Sequence, residues 1–109
     1  MARPHDPPID ESRSTAIQKA ISNNRRLQII THLSDGTERS VSEIEALFPT
    51  LSQSALSQHL SKLRKARIVK TRRQSQTIFY SIADQDVVRL LRLLRHIYAD
   101  DPALPRTRQ

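Results

Sequence analysis

Ser52-Gln53-Ser54-Ala55-Leu56-Ser57-Gln58-His59-Leu60-Ser61-Lys62-Leu63-Arg64-Lys65 is the stretch that decides how this chain is read. Leu56, Leu60 and Leu63 recur at i, i+4 and i+7, the spacing of one narrow apolar face on a helix that Ser52 is placed to cap. Ser54, Ser57, Gln58, Ser61 and Lys65 recur at i, i+3, i+4, i+7 and i+11 and form a second stripe on another side. A helix face meant only for solvent favours Glu and Lys, because Ser is the poorer helix former. Short hydroxyls and an amide both donate and accept hydrogen bonds in little space, which suits base edges and phosphate oxygens in a major groove.

The segments on either side extend the pattern. Downstream, 68–73 and 77–82 are rich in β-branched and aromatic residues, with Ile78, Tyr80 and Ile82 alternating against Thr77, Phe79 and Ser81, and they read as a hairpin. Its tip carries Arg72, Arg73, Gln74 and Gln76. No glycine lies at the turn, so a longer or bulged loop is expected. Asp84 then caps a last helix that runs to Tyr98. Its polar stripe, Gln85, Arg89, Arg92 and His96, is narrow, and apolar residues fill most of the remaining circumference. One face suffices to cover so small a core, so the surplus apolar arc implies a second burial surface, most simply another copy of the chain. Upstream, Ala16, Ile17, Ala20 and Ile21 share one helical stripe that Asn23 and Asn24 are expected to end. Leu27, Ile29, Ile30 and Leu33 mark a second helix, stopped at Ser34, Asp35 and the only glycine, Gly36. Ser42 with Glu45 has the spacing of a capping box for a short third helix that ends near Pro49.

Composition narrows the function. All eleven acids lie outside 46–83, a run that holds Lys62, Arg64, Lys65, Arg67, Lys70, Arg72 and Arg73; these seven bases equal the net charge of +7. A positive field concentrated in one third of the chain points to a polyanion. With no cysteine there is no disulfide framework, thiolate metal site or thiol redox switch. No stretch approaches the roughly 18 apolar residues that read as a membrane span, so a cytoplasmic protein is expected. A single glycine and the lack of any nucleophile, base and acid grouping argue against an enzyme. At 109 residues one domain is expected over 13–99, between a proline-bearing arm at 1–12 and a tail at 100–109.

Helix, helix, short helix, polar-faced helix, hairpin, helix is the order of a winged helix-turn-helix, mainly α with a small β-hairpin. At the level of wording, Leu51 to Arg64, Thr71-Arg72-Arg73 and Gln76 to Ser81 resemble the arsenical-resistance and metallothionein repressor (ArsR/SmtB) family. They are most similar to its cysteine-free, rhizobial nodulation-repressor-like subgroup. Asn24 to Ile30 is similar to the family's "P-x-R-L-x-I-L", with Asn24 in place of the proline. The resemblance covers about 14–98. It implies a homodimer held by the first and last helices, here through Ile17, Ala20, Ile21, Val87, Leu90, Leu91, Leu94, Ile97 and Tyr98. It also implies an operator in double-stranded DNA, probed by the fourth helix and the wings. Carried onto this chain, Gln53, Ser54, Ser57, Gln58 and His59 are the base-reading candidates. Ser61, Lys62 and Lys65 would meet phosphate, and Arg72, Arg73 and Gln76 would serve the wing.

Many members sense metals through paired cysteines near the third helix. This chain has Ser40 and Ser42 in those two positions, and hydroxyls are poor ligands for soft metals. The expectation is a repressor of this type with no cofactor and no evident metal or small-molecule effector. The alternatives are metal control through His96 and Asp100, which share i, i+4 spacing but make only two ligands, and an RNA-binding module. Against the latter, the aromatics Phe48, Phe79, Tyr80 and Tyr98 fall at core or seam positions and leave few for base stacking. His59 is balanced between DNA contact and packing beside the hairpin. Arg25 and Arg26 are balanced between phosphate and solvent.

Overall fold

A computed structural model describes residues 12–100; apart from Ser12 and Asp100, the expected arm and tail lie outside the described residues. The elements are α1 (Arg13–Ile21), α2 (Asn24–Leu33), β1 (Arg39–Ser40), α3 (Val41–Leu47), α4 (Gln53–Lys65), β2 (Val69–Gln74), β3 (Thr77–Ile82) and α5 (Gln85–Ile97). The three strands form one antiparallel sheet in the order β1-β3-β2. With helices on one side, this is the winged helix-turn-helix arrangement that the order of segments implies.

Side-chain caps start the helices. Ser12, Asn23, Ser40 and Ser52 each accept a backbone N–H from three residues on, and Asp84 accepts from Asp86. Two expectations are corrected here. Asn23 does not end α1; it caps α2, and Asn24 is the first helical residue, the position where proline is best tolerated. The capping box is Ser40 with Glu43, not Ser42 with Glu45: Glu43 N–H donates to Ser40 Oγ at 3.1 Å, and Ser40 N–H donates to Glu43 Oε1 at 2.8 Å. Both pairs have the right spacing. What favours the earlier one is β1, whose Arg39 and Ser40 pair with Tyr80 and Phe79 and keep the chain extended to that point.

The core gathers one face of each helix. Ile29, Ile30 and Leu33 of α2 meet Ile44, Leu56, Leu60 and Leu63, and Val87, Val88 and Leu91 of α5 close over them. The leucine stripe of α4 is fully inside, with Leu56, Leu60 and Leu63 at most 2% exposed. Burying three leucines contributes about 5–9 kcal/mol before the entropy of ordering them is counted. That fixes which side of α4 faces outward.

α4 ends in a Schellman motif built without glycine. Arg67 takes the left-handed conformation (φ 57°), its N–H donates to Arg64 O at 2.9 Å, and Ile68 N–H donates to Leu63 O at 3.0 Å. Ile68 and Leu63, the hydrophobic pair of that motif, are both fully buried. Arg13 reaches across from α1, donating to Ala66 O and to Arg67 O, while its other contact is Asp84 Oδ2 at 2.7 Å. One guanidinium thus joins the start of α1, the end of α4 and the cap of α5.

The hairpin turn also differs from expectation. Gln74 pairs with Thr77, leaving Ser75 and Gln76 as a two-residue turn, and Ser75 (φ 56°) adopts the positive φ usually left to glycine. A positive φ at the first central position alone is the II′ pattern, which matches the twist of a hairpin.

Candidate nucleic-acid interface

Because the leucines anchor α4 inward, Gln53, Ser54, Ser57, Gln58, Ser61, Lys62 and Lys65 are all exposed on its outer side. The two stripes read from the sequence are therefore two faces of one helix. Lys62, Arg64 and Lys65 fill its last turn, where cations complement the helix dipole. Gln53 is held at the first turn by donation from its Nε2 to Glu45 Oε2 of α3 at 3.2 Å.

His59 differs from its neighbours. It is half-buried, and Arg26 Nη1 lies 3.3 Å from its Nδ1. A guanidinium can only donate, so Nδ1 is the acceptor and the proton of the neutral ring sits on Nε2. Burial first, then the charges of Arg26, Lys62 and Arg25, holds the His59 pKa below its ordinary 6.5. A depressed histidine pKa stabilises the fold fully above pH 6.5, and that contribution is lost as pH falls from 6.5 through the folded value. We expect urea-unfolding stability to drop over that acid interval, and His59→Gln to remove its part of the drop. An identical pH profile for the variant would show that His59 does not titrate against Arg26.

Arg26 itself was open between phosphate and solvent in the sequence, and the structure gives it neither place. It is 7% exposed and donates to Ala20 O at 2.5 Å and to Lys19 O at 3.3 Å as well as to His59. The carbonyls at the end of α1 supply the partial negative charge that a buried cation needs. Arg25 donates to Gln28 at 3.1 Å.

In the wing, Arg73, Gln74, Ser75 and Gln76 are exposed at the tip, with Arg73 Nε donating to Ser75 O at 3.1 Å. Arg72 is already engaged. Its Nε and Nη2 grip Glu38 at 2.9 Å each, its Nη1 donates to Gln74 Oε1 at 3.0 Å, and its guanidinium lies 4.8 Å from the centre of the Phe79 ring. The arginine expected to serve the wing is thus paired, in the chain by itself, with an acid that lies outside the basic run.

The residues assigned to a seam divide in three. Ala20, Val87 and Leu91 are buried within the chain itself, at most 6% exposed. Ile17, Ile21 and Leu94 are half-buried on the α1 and α5 flank. Leu90, Ile97 and Tyr98 are open, together with Leu93, which the sequence reading did not single out for the seam. His96 and Asp100 are both exposed, and no group of three or more His, Asp or Glu side chains that could hold a metal occurs among the described residues. No helix among them is long and apolar enough to cross a membrane.

A helix with an apolar inner face and a hydroxyl- and amide-bearing outer face, beside a basic wing, is the arrangement of a winged helix-turn-helix domain. The family model for bacterial regulatory proteins of the arsR family matches residues 23–71. The transcriptional activator HlyU of Vibrio cholerae is 42% identical over 89 residues, 82% of this chain and 81% of that one. The crystal structure of NolR from Sinorhizobium fredii superposes with a TM-score of 0.71 at 42% identity, covering 79% of this chain and 84% of that one. A homodimeric winged helix-turn-helix DNA-binding domain from Mycobacterium bovis, described as a possible ArsR-family regulator, gives 0.70 at 33% identity, covering 81% and 79%. The chain belongs to the arsR family of bacterial transcription regulators.

Proposed function

We propose that this chain is a repressor that binds an inverted-repeat operator in double-stranded DNA as a two-fold homodimer and blocks access of polymerase, without thiol-based metal or redox sensing. The observation that carries this reading is the outer face of α4. Ser54, Ser57, Gln58 and Ser61 stand exposed opposite a leucine face that is fully buried. Such a face can present hydrogen-bonding groups to base edges while Lys62 and Lys65 meet phosphate, so that affinity and sequence choice come from different side chains. The exposed apolar residues Leu90, Leu93, Ile97 and Tyr98 support a second copy packing against α5, as does the homodimeric state of the Mycobacterium bovis domain. Two reading helices related by a two-fold axis call for half-sites about one helical turn apart.

Selection of genomic fragments with the purified protein tests the reading, followed by transcription in vitro from the recovered promoter. We expect an inverted repeat and reduced transcript. Recovery of unrelated sequences, or tighter binding to single-stranded RNA at matched salt, would reject it, and increased transcript would make the protein an activator. Gln58→Ala is expected to relax preference at particular base pairs by about 1–3 kcal/mol of discrimination. An unaltered base profile would remove Gln58 from the reading set.

A further inference from the structure

The wing takes no acid from its own sequence, since 46–83 contains none. The fold nevertheless brings one to it. β1 pairs with β3 on the edge opposite β2, and Glu38, the residue just before β1, meets Arg72 of β2 on the outer face of the sheet. On this face Arg72 lies in register with Phe79, and Phe79 with Ser40, so the arginine spans all three strands to reach the carboxylate. Its Nε and Nη2 bind the two Glu38 oxygens side by side, the fork geometry with which a guanidinium also binds a phosphodiester. Arg72 holds the Glu38 carboxyl below its usual range, with Lys70 adding to the effect. Both partners are substantially solvent-exposed, at 48% and 39% for the side chains. An exposed pair of this kind is weak enough for a competing anion to displace it.

We propose that Glu38 acts as an internal substitute for DNA phosphate. It occupies Arg72 in the free chain, withholds that cation from loosely placed backbone phosphates, and so lowers affinity for DNA of any sequence. This rests on the DNA-binding reading above. Glu38 is then a residue that sets the overall affinity for DNA without touching a base. It reduces the non-specific electrostatic contribution, while the hydrogen bonds of α4 to bases are left unchanged.

The test is a double-mutant cycle read by anisotropy on a non-specific duplex across a salt series. Glu38→Gln is expected to tighten binding about two- to five-fold at low salt and to steepen the salt dependence by about 0.9, the release attributable to one phosphate. In an Arg72→Ala background the same substitution should change neither quantity. The proposal is overturned if Glu38→Gln has no effect. It is equally overturned if the effect persists without Arg72, since Glu38 would then act as a general repulsive charge. Failure of the wild-type chain to bind duplex DNA at any salt would instead overturn the DNA-binding reading itself, together with this one. Because the pair lies on the surface, circular dichroism should show all three variants folded.

Discussion

Arg26→Met is expected to cost about 2–4 kcal/mol of stability in urea unfolding at fixed protein concentration, more than any other single polar substitution in the described structure. Methionine keeps much of the aliphatic stem in place. It removes the donors to Ala20 O, Lys19 O and His59 Nδ1; Lys19 O keeps the Ser22 hydroxyl as a donor at 2.8 Å, whereas the carbonyl of the buried Ala20 loses its guanidinium donor. The arginine is buried, and among the described residues it pairs with no carboxylate, so its desolvation is offset there by those acceptors. A second readout separates packing from positioning. Long-range nitrogen-15 spectra should show His59 as the Nε2–H tautomer in the wild type and a mixture in the variant. An unchanged unfolding midpoint would mean that the buried guanidinium makes no net contribution.

Leu93→Asp combined with Ile97→Asp should give monomers in sedimentation at concentrations where the wild type is dimeric, and operator affinity should fall by at least about 100-fold. Both residues are more than half exposed in the single chain, at 54% and 57%, so the carboxylates cost the protomer's own core little. In a seam they would be buried without partners, a penalty of about 3–5 kcal/mol. Leu91→Asp cannot make the distinction, because Leu91 is 3% exposed inside the protomer and its loss would unfold the chain. An intact dimer in the double variant would place the seam elsewhere than on the outer side of α5.

How much of this was legible beforehand depended on the range of the interactions involved. The two faces of α4 were legible because helical periodicity and a Ser52 cap are local signals that burial of Leu56, Leu60 and Leu63 reinforces. The order of elements and the apolar excess of α5 were legible for the same reason. Whatever depended on contacts between distant segments was not. β1 is two residues long, too short to show a period of two, and without it nothing separates Ser40 from Ser42 as the cap. The turn at Ser75 and the end of α4 at Arg67 both place ordinary residues at positive φ, and with no glycine at the hairpin a longer or bulged loop was expected where a two-residue turn stands. Glu38 and Arg72 lie 34 residues apart, and Arg26 and His59 lie 33 apart. Charge type is visible in a sequence, but a partner at such a distance is not. Arg72 was accordingly assigned to the wing with no partner named for it, and Arg26 stayed balanced between phosphate and solvent.

Two guanidiniums, that of Arg13 at the start of α1 and that of Arg26 from α2, hold the two ends of α1. Arg13 ties its start to the last carbonyls of α4, and Arg26 ties its end to His59 in the middle of α4. The helix on the proposed seam and the helix that faces outward are therefore joined at two points. In a two-fold pair, the gap between the two outward helices is set by how the α1 and α5 flanks meet, much as a gauge is set at its hinge. Under the proposed function, substitutions at the seam would then retune the half-site spacing that the dimer accepts, while the outer face of α4 stays as it is.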